Sequence, residues 1–270
     1  AHFKKSWDDW DFLASATMAG HLLECGAQVT GGYFADPGYK DVPDLSNVGF
    51  PIVEFDSRGN ICVTKPEGTG GIVNRLTVTE QLLYELHDPA SYLTPDVVAD
   101  ITRATISDLG NNRVELTGVK GHPKPSSLKA NICIDGGWLA EAEISYAGHH
   151  ALERAQLAAQ IIRDRIGKDL ALRIDFIGSS SVFASDSGEG PTINPSKSFE
   201  DIRLRVAAAH QDRQLAMRVC REVTALYTCG PAGGGGVRTS LKPRLNTLVA
   251  FIPRAEIKPS YVFYKEEHSK

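Results

Sequence analysis

Apolar residues at positions 12, 13, 16, 19, 22 and 23 recur with the period of an α-helix and predict one from Phe12 to Cys25. Pro51–Phe55 and Ile61–Thr64 read as short strands, and Asp56-Ser-Arg-Gly-Asn60 between them as a hairpin turn. Asp36–Asn47 is rich in Pro, Gly and Asp and reads as loop. A helix is predicted from Thr79 to Leu86, where Thr77-x-x-Glu80 resembles a capping box. His87–Pro95 is a turn-rich connector. Val97–Ile106 and Arg113–Val119 read as strands joined by Asp108-Leu-Gly-Asn-Asn112.

Past His122-Pro-Lys-Pro125, a connector stiffened by its prolines, the alternation sharpens. Leu128, Ala130, Ile132 and Ile134 alternate with polar residues, and so do Trp138, Ala140, Ala142, Ile144 and Tyr146. With Asp135-Gly-Gly137 between them, the two runs predict a hairpin with one apolar face. A helix from His149 to Ile166, a strand from Leu170 to Ile177 and a long polar loop, Gly178–Lys197, follow. Then come a strand at Asp201–Ala209, a helix at Gln211–Tyr227, a strand at Asn246–Pro253 and a short one at Tyr261–Tyr264. Ser145–Ile166 and Val206–Tyr227 look alike, which suggests a weak structural duplication. The pattern predicts an α+β fold: mixed or antiparallel sheets with helices packed on one face, and two β–α units in the C-terminal half. It places a seam near residue 122, between an α+β region at 1–122 and an α+β sandwich at 123–270.

The composition narrows the function classes. The 270 residues are 42% hydrophobic and 23% charged, with a net charge of -4. There is no basic stripe, which argues against nucleic acid as partner, and no apolar run long enough to span a membrane. The start, Ala1-His-Phe-Lys-Lys, has neither Met nor a targeting pattern and reads as cut or processed. The cysteines at 25, 62, 133, 220 and 229 form no C-x-x-C pair, so neither a zinc site nor a disulfide framework is expected. A reducing cytoplasm fits that usage. Cys229, beside a Gly-rich run, is a candidate reactive thiol; the alternative, preferred on sequence, is a helix-end residue packed inward.

Two Gly-rich runs are candidate anion sites. Cys229-Gly-Pro-Ala-Gly-Gly-Gly-Gly-Val-Arg238 follows a helix, so its Gly233, Gly234 and Gly235 N–H groups with Arg238 suit a carboxylate or phosphate, or a flexible helix-end loop. Neither Rossmann nor P-loop spacing is present. Lys65-Pro-Glu-Gly-Thr-Gly-Gly71 lies between a strand and a helix, an order better suited to anion binding. Lys65, Gly70, Gly71 and Arg75 are its candidate binding residues. The alternative is a tight connection with surface charges. His21 and Glu24 lie three apart on one helix face, as an acid–base pair or as a packing pair. His149, His150 and His210 sit at strand–helix junctions without metal-ligand spacing, and capping or exposure suits them best.

Several longer runs then resemble a known family. Trp7-Asp-Asp-Trp10, Ala19–Gln28, Thr30-Gly-Gly32, Gly49-Phe-Pro-Ile52, Thr64–Gly71, Val78–Glu85, Tyr92–Val98 and Gly230–Gly236 resemble the acyclic terpene utilisation family across nearly the whole chain. Family members carry an α/β region before the Trp-Asp-Asp-Trp run, so the resemblance implies that this chain is the C-terminal part of the family's core region. The missing part is then a separate subunit, a proteolysed piece or a truncation, and the expected assembly is a homo-oligomer or a complex with a chain that supplies it. The resemblance also implies a cytoplasmic protein acting on a branched acyl-CoA or hydroxy acid. It assigns no reaction and no cofactor, a coenzyme A thioester entering only as substrate. Two functions follow as expectations. One is a lyase- or hydratase-type enzyme with His21 and Glu24 as catalytic pair and the Gly-rich runs as oxyanion donors. The other is a non-catalytic accessory subunit completing a site on a partner chain. Metal-assisted chemistry at His149 and His150 is a third, and no metal ligands are assigned.

Overall fold

The computed structural model describes residues 2–182, 201–260 and 262. The chain forms two compact units, Ala1–Lys129 with Phe251–Lys270, and Ala130–Ala250. The architecture is α+β, with antiparallel strand pairing throughout the sheets.

The first unit begins with helix α1 (Trp10–Glu24), whose N-cap Asp9 accepts from the Phe12 N–H. Strands β1 (Ile52–Phe55) and β2 (Ile61–Thr64) form the expected hairpin. Its turn is built by Asp56, whose carboxylate accepts from the N–H groups of Asn60 and Arg58, which lowers its pKa to about 2. Helix α2 runs over Arg75–Leu83, one turn earlier than the sequence suggests. Its cap is Asn74, which accepts from the Thr77 N–H while the Thr77 hydroxyl accepts from the Asn74 N–H. Short strands β3 (Tyr92–Leu93), β4 (Val98–Asp100), β5 (Thr105–Gly110), β6 (Arg113–Thr117) and β7 (Lys120–His122) complete the unit. They pair as two sheets, β1-β2-β6-β5 and β3-β4-β7. Ala14, Met18 and Leu22 of α1 share a core with Ile61, Val63, Val78, Leu82, Val114 and Leu116.

The second unit follows the order β8 (Ser127–Ala147), α3 (Ala151–Ile166), β9 (Arg173–Ile177), β10 (Asp201–His210), α4 (Arg213–Cys229), β11 (Gly235–Pro253). The sheet order is β11-β8-β10-β9, with β10 antiparallel to both neighbours. This is a split β–α–β arrangement, two β–α units interleaved. Ala140, Ala142, Ile144 and Tyr146 alternate onto the face that α3 and α4 cover.

Two expectations change. Ser127–Ala147 is one strand, not a hairpin: Gly137 (φ +75°) kinks β8 without turning it. An added Cβ there would stand 2.8 Å from Gln211 Cα, so the glycine serves a close approach of the β10–α4 corner. The last strand starts at Gly235 rather than Asn246, which puts Gly235 and Arg238 inside a strand. Residues 131–135 and 242–245 are exposed, a two-stranded ribbon with little packed on either face. Residues 183–197 of the expected polar loop, and 261, 263 and 264 of the expected last strand, lie outside the described residues.

Candidate functional site

The spacing that buries α1 also buries a titratable group. His21 lies seven residues after Ala14 and three after Met18, on the core-facing stripe, and is 4% exposed. Its Nδ1 is 2.7 Å from Oε1 of Glu24, one turn on, whose side chain reaches solvent. An ionised Glu24 accepts the Nδ1 proton, which leaves the lone pair of the neutral ring on Nε2. Nε2 is buried and has no partner among the described residues. The ring leans on Tyr92, with centroids 5.3 Å apart. Burial raises the Tyr92 phenol, and the nearby Glu24 and Glu85 carboxylates raise it further.

Helix α2 packs against both α1 and the 3-10 turn at Gln28–Thr30. Gln81 Nε2 donates 3.1 Å to the His21 carbonyl, while Gln81 Oε1 and Gln28 Nε2 are buried without partners among the described residues. On the outer side of α2 lies a groove of about 730 Å³, floored by Phe34, Tyr39, Leu76 and Leu83 and edged by Tyr84 and Glu85. Lys40 crosses it, 2.6 Å from Glu80 and 4.7 Å from the Phe34 ring centre.

The loop at 65–71 is closed upon itself. Gly70 N donates to Asn47 O and Gly71 N to Pro43 O, both at 2.8 Å, so neither N–H is free for an anion. Lys65 Nζ donates 2.6 Å to the Thr69 carbonyl inside the same loop. Arg75, the first residue of α2, is exposed, and its N–H donates to Asp108. Lys65, Gly70 and Gly71 thus come together as a packed connection beside the start of α2.

Gly233, Gly234, Gly235 and Arg238 belong to the second unit. Arg154 organises them: its guanidinium donates to the carbonyls of Ala147, His149, His150 and Ala232, tying the Gly-rich run to the β8–α3 corner. Gly233 (φ +74°) lies against Arg154, and an added Cβ at Gly234 would meet Ile144 at 2.8 Å and the Tyr146 ring at 3.1 Å. The Tyr146 hydroxyl beneath is buried without a partner among the described residues, and burial raises its pKa. Arg238 is exposed on β11. On the sheet face opposite the helices, Asp175 is 4% exposed and accepts from Arg173 (2.8 Å) and Arg205 (2.7 Å); Arg205 also reaches Glu141.

Cys229 is exposed at the end of α4, not packed inward, and all five cysteines are free. His149 and His150 are exposed with rings 4.3 Å apart, and His210 Nδ1 accepts from Asp212 N. Among the described residues no three His, Cys, Asp or Glu side chains group as metal ligands, and no helix is long and apolar enough to cross a membrane.

The family model described as "Acyclic terpene utilisation family protein AtuA" matches residues 1–263. The chain belongs to this family. Among curated proteins and among solved structures, none matches. In this acyclic terpene utilisation protein the family-like runs fall on α1 (Ala19–Glu24), the closed loop and α2 (Thr64–Gly71, Val78–Leu83), β3 with its connector (Tyr92–Val98) and the Arg154-held glycines (Gly230–Gly236). Tyr92, Gln81, Glu85, Tyr146 and Arg154 were not singled out by sequence. Tyr92, Gln81 and Glu85 had one signal: each lies inside a family-like run.

Proposed function

We propose that this acyclic terpene utilisation protein is an enzyme of branched acyl-CoA or carboxylic-acid breakdown, of lyase or hydratase type, with His21 and Glu24 as its acid–base pair. One observation carries the reading: Glu24 orients a buried imidazole through Nδ1 at 2.7 Å and leaves Nε2 unpaired. A base held so removes a proton from the carbon beside a carbonyl and, as the imidazolium, returns it to a leaving group or to the product. Glu24 fixes the tautomer and stabilises that imidazolium. The groove on α2 supports a substrate with a branched hydrocarbon tail, since its floor is apolar; Lys40 there is paired with Glu80. The five free cysteines support a reducing, cytoplasmic setting.

The test is growth on an acyclic terpene acid by the source organism lacking this gene, complemented with wild type, His21→Ala or Glu24→Gln. His21→Ala should abolish growth and Glu24→Gln should slow it, with both variants folded by circular dichroism. Growth of both at the wild-type rate sinks the reading.

A second reading, an accessory subunit completing a site on a partner, is favoured by Gly70 and Gly71. Their N–H groups donate within the chain, so donors for a developing oxyanion would come from elsewhere. Calorimetry of the isolated chain with a branched acyl-CoA separates the two readings. Micromolar binding supports the enzyme; no binding supports the subunit.

A further inference from the structure

The ribbon of β8 and β11 carries an unpaired edge whose sequence is complementary to itself. β10 covers β8 only from Trp138 to Ala147, so among the described residues nothing pairs with β8 from Ser127 to Gly137 on that side. Ile132 and Ile134 are 47% and 39% exposed, and across the ribbon Leu245, Leu248 and Val249 are more than half exposed. A two-stranded ribbon with apolar faces and open edges is marginal in water and invites a further strand.

The register says which groups are on offer. The Ser126 carbonyl accepts from Arg254 N at 2.8 Å, so even-numbered residues of this arm turn their N–H and C=O groups toward β11. The odd-numbered ones, Lys129, Asn131, Cys133 and Asp135, point theirs outward. The other edge, along β11, is blunted by Pro243 between Lys242 and Arg244. The β8 edge has no such guard.

We propose that this edge pairs antiparallel with the same edge of a second copy of the chain, about a twofold axis at Ile132. That register places Lys129 opposite Asp135 twice and Asn131 opposite Cys133 twice, and sets the two Ile132 side chains face to face. The odd residues then exchange about eight backbone hydrogen bonds, and the two ribbons become a four-stranded sheet. Opposite charges directly across a pair of strands favour this register over a slipped one. A C2 contact uses the same patch on both copies, which is what a self-complementary edge supplies.

The full chain is tested by analytical ultracentrifugation at low micromolar concentration. Wild type should sediment as a dimer or an even multiple. Asn131→Pro should give half that mass, because it removes an outward N–H without breaking the ribbon's own ladder. Lys129→Glu should raise the dissociation constant about fivefold or more, and adding Asp135→Lys should restore it. Independently, Ile132→Cys with Cys133→Ser should form an inter-chain disulfide on mild oxidation, since directly opposed Cα atoms lie within disulfide reach. Wild type with Cys133 alone should not, being diagonal across the axis. A monomeric wild type, a dimer indifferent to Asn131→Pro, or a stoichiometric complex with a different chain on this edge overturns the proposal.

Discussion

Substituting Gly70 with Ala separates a glycine needed for packing from one kept for a ligand. An added Cβ at Gly70 would overlap the Asp44 carbonyl oxygen and stand 2.7 Å from the Asp44 carbonyl carbon and 2.8 Å from its Cβ. These are backbone atoms and the root of a side chain, so no rotamer change relieves them. One of the two segments has to move by about 1 Å, which breaks Gly70 N to Asn47 O (2.8 Å) and Gly49 N to Gly70 O (3.1 Å). Each broken bond in this part-buried loop costs about 1–2 kcal/mol, and the overlap adds to it, so Gly70→Ala should destabilise the first unit by about 3–5 kcal/mol. The chain has Trp at 7, 10 and 138, so a Trp138→Phe background confines the fluorescence signal to the first unit. Urea unfolding in that background reads the loss as a drop in midpoint at unchanged slope. Two controls bracket it. Gly68→Ala (φ +74°, no atom within 4 Å of the added Cβ) should cost about 1 kcal/mol through backbone strain alone. Gly235→Ala, with open space and no positive φ, should be close to neutral. If Gly70→Ala unfolds within about 1 kcal/mol of its parent, the packing explanation of this loop is wrong, and its N–H groups return as candidate anion donors.

Three further outcomes follow from the second unit. Tyr146→Phe removes a buried hydroxyl that has no partner among the described residues and should leave stability unchanged or raise it by up to about 1 kcal/mol, measured by urea unfolding. Burial raises the Tyr146 pKa in the folded state, so its contribution is present below the ordinary phenol value and is lost as pH rises through the folded one. Stability should therefore fall above about pH 10, and less steeply in Tyr146→Phe. Arg154→Met keeps the stem but strips the donors from four carbonyls; it should cost about 2 kcal/mol and speed amide exchange at residues 232–236, read by mass spectrometry. Asp175→Ala leaves a partly buried Arg205 with one carboxylate fewer and should cost about 3 kcal/mol in urea.

What was legible in the sequence followed side-chain periodicity. The α1 stripe, the β1–β2 hairpin and the β–α repeat announce themselves because apolar spacing and turn residues agree there. The misread pieces are those where glycine has two meanings. Asp135-Gly-Gly137 looks like a turn, yet the even-numbered apolar parity continues unbroken across it, as one strand requires. The Gly233–Gly236 run looks like a loop to its end, but the strand already begins at Gly235 because β8 lies alongside. At the candidate site, the His21–Glu24 contact was readable from the helical spacing of three. Burial of Nε2 and the approach of Tyr92 were not, since they depend on which face of α1 meets α2 and the connector some 70 residues on. Nor could sequence tell that Gly70 and Gly71 donate at home; that depends on Pro43 and Asn47, more than 20 residues away.

The interleaved strand order also sets a timetable for synthesis. β8 and β9 leave the ribosome first, joined through α3, with a gap one strand wide between them. The strand that fills it, β10, pairs Trp138 with His210 and Ala147 with Asp201, so β8 waits for more than 50 further residues. At ordinary translation rates of about 5–20 residues per second, that is a wait of several seconds with the β10-facing edge of β8 unpaired. The second neighbour, β11, comes later still. A nascent chain halted before β10 would offer a slot that any compatible strand can enter, including the β10 of a neighbouring nascent chain. The vulnerable interval in the life of this protein is therefore the wait for β10.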